Sequence, residues 1–471
     1  RPPALPATPA PEATPRPTGT AQDVVATPTP SAGAPAAPSD ATPTQPVSET
    51  AAGASGSGSI AYIRADTQDE IRLVAPDGSN DRLLWAHGVE DAAIFGSPEG
   101  THNILTLSWH PEGGALAFAS THEQGCSLNR SDLFVIDLAE TAVRRVTQGP
   151  ACPALADFPK GSVQVPVQNP YGSQFEAFLY LQGAPVAQPI SVAPNGSAVI
   201  TVESVADLGE GVMQRAILML STDSNDRAFG EETAVDVQAG STVETAPLQL
   251  DFPNLTPRVI RAPTWRHDGT RLGYAYNYTN LHQIEPDAAP LQDGELLVTG
   301  SAYGLPGQLE YADHLAWGPT AERAGDLLYR GEEGFESGIY LTTEGSDSVG
   351  TQLVGFDSIV EEVQGLSWLP DGSGFVYALL EPSDRPTHDH SNIYLYRFDT
   401  GEVTALTTFG PGEYAGRLSV SPDGERIVFE RSSNWSFLTG ELSEPDLWTM
   451  ALDGTDASLL VENGRAPAWE P

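Results

Sequence analysis

The segment LSVSPDGERIVF, residues 418–429, carries the clearest structural signal in the sequence. It consists of a short apolar run, a Ser-Pro-Asp-Gly turn and a second apolar run. Asp-Gly and Asn-Gly pairs supply the positive φ angles that tight hairpin turns need. The segment therefore predicts a β-hairpin whose first strand ends at Val420 and whose second strand starts near Arg426.

Related segments recur along most of the chain. They are LSWHPEG (107–113), ISVAPNG (190–196), PTWRHDG (263–269), LAWGP (315–319), LSWLPDG (366–372), LSVSPDG (418–424) and PAWEP (467–471). From Trp265 onward they return about every 50 residues, a period typical of one supersecondary unit stacked on the next. A third strand such as NIYLYRFD and a short fourth strand such as EVTALT follow each hairpin. Four antiparallel strands per repeat are typical of a β-propeller blade.

The two ends of the repeat region complement each other. PAWEP has no hairpin partner, whereas GSIAYI and EIRLVAPDG supply the later strands of a blade. We therefore predict an all-β fold, a β-propeller of about seven four-stranded blades, with six or eight also compatible. Pairing of N- and C-terminal strands is expected to close the propeller, which removes exposed sheet edges.

Two regions depart from the repeat. The gap between Trp109 and Val192 exceeds one period and predicts an insertion at about residues 149–188, either a long loop or a degenerate extra blade. Residues 1–58 are dominated by Pro, Ala, Thr, Ser and Gly, and such a segment buries too little surface to offset its ordering entropy. We expect a disordered tail or linker there, followed by the propeller over residues 59–471.

The composition is strongly acidic, with 63 Asp and Glu residues against 23 Lys and Arg residues. Nucleic-acid binding needs clustered basic residues, so we expect no nucleic-acid partner. The negative field favours cationic partners or divalent metals. No run of about 18 apolar residues predicts a transmembrane segment. A Pro-rich tail is typical of the region between an export signal or lipid anchor and an external domain, so we expect a secreted, periplasmic or cell-surface bacterial protein, with a cytoplasmic protein as the alternative.

The repeats resemble the WD40-like PD40 repeats of TolB-type propellers, most closely at residues 418–429 and 392–407. The resemblance covers roughly residues 60–471. It implies a β-propeller fold, and members of that family serve as protein-binding modules, sugar-binding modules or appendages of enzymes. TolB itself has a globular domain ahead of its propeller, and this sequence shows no counterpart.

Candidate site residues fall on one predicted face, where loops join second to third strands and one blade to the next. Cys126 and Cys152 both map to this loop face, and a disulfide between them is the favoured interpretation, with two thiols as the alternative. Function is often carried by loops that a rigid scaffold holds.

Other candidates on the loop face are polar or aromatic. His388, Asp389 and His390 lie in the loop RPTHDHSN, and imidazole with carboxylate suits a divalent metal such as zinc or copper. An exposed polar loop without metal is the alternative. Trp435 and Phe437 are candidate contact residues or an apolar plug under their loop. The repeated tryptophans are expected to pack between neighbouring sheets.

Catalytic signatures are absent from the sequence, which has no Gly-x-Ser-x-Gly, His-Glu-x-x-His or phosphate-loop motif. We expect an extracytoplasmic, non-enzymatic binding or scaffold propeller that recognises a protein or glycan of the cell envelope through the loop face, with no cofactor identified. One alternative is a lyase or glycosidase that uses carboxylates of the central channel. Another is a structural subunit of an extracellular assembly.

Overall fold

A computed structural model describes most of the chain beyond the tail. The described residues are 58–65, 69–86, 104–122, 131–147, 158–181, 190–207, 209, 214–221, 227–249, 259–276, 280–286, 295–298, 311–333, 336–346, 349–356, 361–381, 389–436 and 441–471. These residues form β-strands and turns, with one short 3-10 helix at Ala321–Arg323. The all-β prediction is confirmed.

The first seven strands form two antiparallel sets. They are β1 (Ile60–Ala65), β2 (Asp69–Val74), β3 (Arg82–Ala86), β4 (Ile104–Trp109), β5 (Ala115–Ser120), β6 (Asp132–Asp137) and β7 (Ala142–Arg145). Strands β4 to β7 pair in chain order as one four-stranded sheet, which we call blade 1. Its first strand ends at Trp109, as the repeat predicts.

The next eight strands form a separate region. They are β8 (Lys160–Gln168), β9 (Phe175–Leu181), β10 (Ile190–Val192), β11 (Ser197–Ala206), β12 (Gln214–Ser221), β13 (Arg227–Val235), β14 (Thr242–Glu244) and β15 (Leu248–Gln249). One sheet has the order β10-β9-β12-β13, and in the other β8 pairs with β11, β14 and β15. Inward side chains of both sheets share one apolar core, which contains Val163, Leu179 and Leu218. We call residues 158–249 the sandwich.

Three further blades follow the sandwich. Their strands are β16 (Ile260–Trp265), β17 (Leu272–Tyr276), β18 (Asn280–Ile284) and β19 (Glu295–Val298) in blade 2; β20 (Tyr311–Trp317), β21 (Asp326–Glu333), β22 (Glu336–Thr343) and β23 (Thr351–Phe356) in blade 3; and β24 (Glu362–Trp368), β25 (Gly374–Glu381), β26 (His390–Arg397) and β27 (Val403–Ala405) in blade 4. Each first strand ends at the tryptophan of its repeat. The hairpin and third-strand predictions are therefore confirmed here.

The last strands complete the repeat. They are β28 (Tyr414–Val420), β29 (Arg426–Ser432), β30 (Trp435–Ser436), β31 (Glu441–Leu442), β32 (Asp446–Ala451), β33 (Ser458–Val461) and β34 (Gly464–Trp469). Blade 5 has the order β28-β29-β32-β33, and β30 and β31 form a small hairpin between its second and third strands. Blade 6 has the order β34-β1-β2-β3, with Ile60 opposite Trp469. The two ends of the described chain thus share one sheet.

The described residues form six blades, one fewer than the seven we favoured. The difference lies at ISVAPNG, which we had interpreted as the start of a blade. Its strand β10 pairs with β9, whereas the strand after the turn, β11, pairs with β8 of the other sheet, so no hairpin forms. Blade 2 instead contacts blade 1 directly through β16 and β4. The described strands of the insertion also reach well beyond residue 188, to Gln249.

Candidate functional site

The first strands of the six blades surround a cavity of about 420 Å³. Each blade lines it with the last three residues of its first strand and the second residue after that strand. In blade 5 these are Leu418, Ser419, Val420 and Pro422. Because equivalent positions of every blade contribute, the cavity lies on the axis of the propeller, and we call it the axial cavity.

The lining is arranged in layers of equivalent residues. The deepest is apolar and comprises Leu107, Pro263, Leu315, Leu366, Leu418 and Pro467. The next carries small side chains: Ser108, Thr264, Ala316, Ser367, Ser419 and Ala468. The outermost is proline in five blades, at Pro111, Pro319, Pro370, Pro422 and Pro471, and His267 in blade 2. No described lining residue carries a carboxyl group.

The four hydroxyls of the middle layer are engaged between blades. Each accepts a hydrogen bond from the backbone N–H of the residue that ends the first strand of the next blade. The donors are Trp265 to Ser108 (3.4 Å), Trp317 to Thr264 (3.3 Å), Val420 to Ser367 (3.4 Å) and Trp469 to Ser419 (3.0 Å). The hydroxyl oxygens therefore accept hydrogen bonds from the next blade, across each of these four boundaries between blades.

Where the middle layer is alanine, a tryptophan side chain replaces the hydroxyl contact. Trp368 Nε1 donates to the carbonyl oxygen of Ala316 at 2.8 Å, and Trp109 Nε1 donates to that of Ala468 at 2.9 Å. With the four hydroxyl contacts, these bonds run from blade 1 through blade 6 and back to blade 1. The five repeat tryptophans are 4–8 % exposed, which confirms the prediction that they pack between sheets.

A carboxylate follows the first strand of every blade, near the mouth of the axial cavity. The six are Glu112, Asp268, Glu322, Asp371, Asp423 and Glu470, and we call them the carboxylate rim. Blade 6 contributes Glu470, whose backbone N–H donates to the carbonyl oxygen of Ser59 at 2.8 Å, beside the paired strands β1 and β34. The segments that continue from the cavity-lining strands therefore carry negative charge, while no rim side chain itself lines the cavity.

Three rim aspartates are held in the ionised form by local turns. Hydrogen bonds from the Ser373 hydroxyl and then its backbone N–H lower the pKa of Asp371. The Ser421 hydroxyl and the Glu425 N–H likewise lower the pKa of Asp423. Burial opposes ionisation of Asp268, but hydrogen bonds from the Thr270 hydroxyl and N–H lower its pKa overall. These carboxylates stay charged in mildly acidic solution.

The arginines beside the rim are already paired. Arg266 contacts Glu344 at 3.1 Å, and Arg323 contacts Asp326 at 2.9 Å. Arg323 also lies over the ring of Phe398, at 4.4 Å from its centre. Arg266 also lies 3.7 Å from the rim residue Asp268, and Arg397 and Arg426 favour the ionised forms of Asp371 and Asp423. The rim is therefore partly compensated, but its six carboxylates outnumber the arginines beside it and its net charge is negative.

The loop-face candidates lie at the other end of the strands. Strand β28 runs from Tyr414 to Val420, which lines the axial cavity, so Tyr414 is about 20 Å away along the strand. Trp435 is half-buried against Leu380, Tyr414 and Leu442. This packing favours the plug interpretation of Trp435, and its role as a contact residue stays a prediction.

Two members of the candidate metal loop are described. His390 Nε2 lies 3.5 Å from Glu381 Oε2. The backbone carbonyl of Asp389 accepts a hydrogen bond from Gly412 N–H. Within the part of the chain that the structure describes, no group of three or more His, Cys, Asp or Glu side chains is arranged to hold a metal ion. His388, Phe437, Cys126 and Cys152 lie outside the described residues, so the metal and disulfide predictions stay open.

Sequence reasoning anticipated a central channel only in the enzyme alternative and named none of its lining or rim residues, although the signal is present in the repeats. Aligned on Trp or Val, six of the seven repeats carry proline two residues later, at Pro111, Pro194, Pro319, Pro370, Pro422 and Pro471. The third residue after the Trp or Val is acidic in four repeats, at Glu112, Asp268, Asp371 and Asp423. We interpreted these residues as turn formers alone, because a turn explains both residue types locally.

Comparison with known proteins finds solved chains of low similarity. No protein-family model matches the chain, and no curated protein matches it. A solved chain named TolB, from Agrobacterium tumefaciens, is 21% identical with a TM-score of 0.32 over 44% of this chain and 64% of its own length. An oligogalacturonate lyase from Vibrio parahaemolyticus is 11% identical with a TM-score of 0.32, over 86% of this chain and 87% of its own. A β-propeller domain from Myceliophteria thermophila is 12% identical with a TM-score of 0.34, over 80% and 90%.

The six four-stranded sheets around one cavity make the chain a β-propeller. Such propellers are found in binding proteins and in enzymes, so the fold alone does not assign an activity. In the described residues, no helix has the length and apolar character needed to cross a membrane.

Proposed function

We propose that this protein is an extracytoplasmic, non-enzymatic binding propeller that recognises a protein partner, and that the axial cavity is its binding site. One observation carries the proposal: six equivalent strand ends enclose an apolar cavity of about 420 Å³. This volume lies within the range of about 300–1,000 Å³ found for ligand sites. Mostly apolar lining with a polar rim is also the usual character of a binding site.

The middle layer supports binding rather than acid–base chemistry. Its hydroxyls accept backbone hydrogen bonds from the next blade, as in the 3.0 Å contact of Ser419 with Trp469. A glycosidase needs two carboxyl groups beside the scissile bond. The carboxylates near this cavity stand outside it on exposed turns, where three of them have lowered pKa values. An apolar side chain of a partner suits such a wall better than a sugar ring does.

A peptide-display selection tests the proposal. A random peptide library is selected on the immobilised wild-type protein, on Ser367→Phe, which places a ring in the cavity, and on Thr404→Phe. Thr404 is exposed on the outer strand β27 and provides a matched control. We expect enriched sequences on wild type and Thr404→Phe that are absent on Ser367→Phe. Equal enrichment on all three proteins, or none on wild type, would contradict the proposal.

A further inference from the structure

The axial cavity and the carboxylate rim together define the chemistry of the occupant. From them we infer that the cavity receives a bulky apolar side chain of a polypeptide segment whose neighbouring residues are Lys or Arg. This inference rests on the proposed function and names the class of partner. Two independent features of the described residues support it.

The first feature is the apolar wall. The deepest layer offers only leucine and proline, and the outermost offers proline in five blades. Between them, Ser108, Thr264, Ser367 and Ser419 direct their oxygen atoms at backbone N–H groups of the next blade. Burial of an apolar side chain is favourable in such a place, whereas a charged side chain would lose its hydration without compensation.

The second feature is the charge around the mouth. The rim has a carboxylate from every blade. Of the nearby arginines, Arg323 is paired with Asp326 outside the rim, and Arg266 contacts both Glu344 and the rim residue Asp268, so the rim keeps a net negative charge. A segment that enters the cavity must bring its flanking residues close to these carboxylates. Complementary charge speeds association and excludes wrong partners, so Lys or Arg is favoured there and Asp or Glu disfavoured. The overall charge of −40 reinforces this preference at longer range.

His267 is the one departure from the proline layer. It is exposed at the mouth, beside the rim residue Asp268. An imidazole there offers a hydrogen-bonding group on one side of an otherwise apolar opening. It gives the six-bladed site an asymmetric feature that can orient an inserted segment.

Fluorescence anisotropy with labelled peptides KKGFGKK, KKGAGKK and EEGFGEE tests the inference on the full chain. We expect KKGFGKK to bind in low salt and KKGAGKK to bind at least about tenfold more weakly, since burying a Phe ring contributes about 1.5–3 kcal/mol. EEGFGEE should bind more weakly than KKGFGKK. Asp371→Asn combined with Asp423→Asn should weaken KKGFGKK about fivefold, an effect that added salt removes.

Asp453→Asn is the matched control, because Asp453 forms the same kind of turn with Thr455 but lies on an outer turn of blade 5. It should leave KKGFGKK binding unchanged. Equal binding of EEGFGEE, or no effect of the double rim variant, overturns the cationic partner while the proposed function stands, provided that Ser367→Phe abolishes binding. If no peptide distinguishes wild type from Ser367→Phe, both proposals fail. If sedimentation shows wild-type dimers that Ser367→Phe dissociates, the occupant is a second copy and the inference is wrong.

Discussion

The propeller and the sandwich use similar turn sequences to build different structures. In blade 5, Ser-Pro-Asp-Gly places Gly424 at φ 71°, and Ser421 N–H donates to Arg426, which starts a hairpin. In the sandwich, Ala-Pro-Asn-Gly places the left-handed residue one position earlier, at Asn195 with φ 49°. Asn195 N–H donates to Tyr171, and the chain continues into the other sheet. A four-residue turn therefore does not decide whether its flanking strands pair with each other.

The second residue before the turn shows the same contrast. Ser419 accepts a hydrogen bond from Trp469 of the next blade, whereas Ser191 accepts one from the exposed Gln174 within the sandwich. In the propeller, residues at this position contact the next repeat. Sandwich residues are defined by a core that, within the described residues, is made of residues 163–248 alone. The stability of the two regions should respond to different substitutions.

The largest loss of stability is expected from a substitution in the propeller core, and a substitution in the sandwich core should act separately. Trp368→Ala should cost about 3–5 kcal/mol, because Trp368 is 5% exposed and the substitution leaves a large cavity between blades 3 and 4. Val192→Ala should lower the stability of the sandwich and leave the propeller transition in place. Calorimetry with near-UV circular dichroism measures the unfolding transitions. If Val192→Ala lowered the propeller transition as much as Trp368→Ala does, the two cores would not be independent.

A smaller loss of stability is expected in blade 6, whose sheet contains the first and last strands of the described chain. Burial opposes ionisation of Asp81, but hydrogen bonds from Arg72 and Tyr62 lower its pKa overall. A lowered folded pKa stabilises the protein above the unfolded value of about 3.9, and this stabilisation disappears as the pH falls through the folded value. Asp81→Asn should therefore cost about 1–2 kcal/mol at neutral pH. In urea titrations the difference from wild type should shrink below about pH 4, and a constant difference would contradict this assignment.

The smallest effect compares the two serines directly. Ser419→Ala removes the acceptor of the Trp469 N–H and should cost about 1 kcal/mol. Ser191→Ala removes an exposed side-chain contact and should cost less than about 0.5 kcal/mol. Urea unfolding measures both. Equal losses would mean that the contacts between blades contribute no more than an ordinary surface hydrogen bond.

Much of the fold was predictable because the repeat combines several signals. Around Trp265, Trp317, Trp368 and Val420, apolar runs, turn residues and an even period agree, and the strands end where the repeat predicts. At Val192 the apolar runs and the turn residues are present, but the spacing to the neighbouring repeats is uneven on both sides. That uneven spacing is the sequence feature that distinguishes this segment from a blade. The circle of contacts through Ser108, Ala316 and Ala468 was not predictable, because a small residue in a strand does not reveal its neighbour in the next blade.

The candidate site was harder to predict from the sequence than the fold. Loop residues such as Trp435 stand out in the sequence because they interrupt the repeat. Pro422 and Asp423 do not, because a turn explains them fully. Their second role arises only when the blades bring such turns to one end of the axis. Residues of a site that also belong to the repeat pattern are therefore hard to recognise from the sequence, because the pattern already accounts for them.

Blades 1 and 2 are neighbours in the propeller, and the Val192 repeat does not form a blade between them. Cross-linking across the boundary between blades 1 and 2 tests this arrangement, in a variant whose Cys126 and Cys152 are replaced by serine. Ser108 Oγ lies 3.4 Å from Trp265 N, next to Thr264. A short bis-maleimide should therefore join Ser108→Cys to Thr264→Cys. In a propeller that includes the Val192 repeat as a blade, Ser191 would take the place of Ser108. Our account predicts an efficient 108–264 cross-link and no 191–264 cross-link, and the reverse pattern would contradict it.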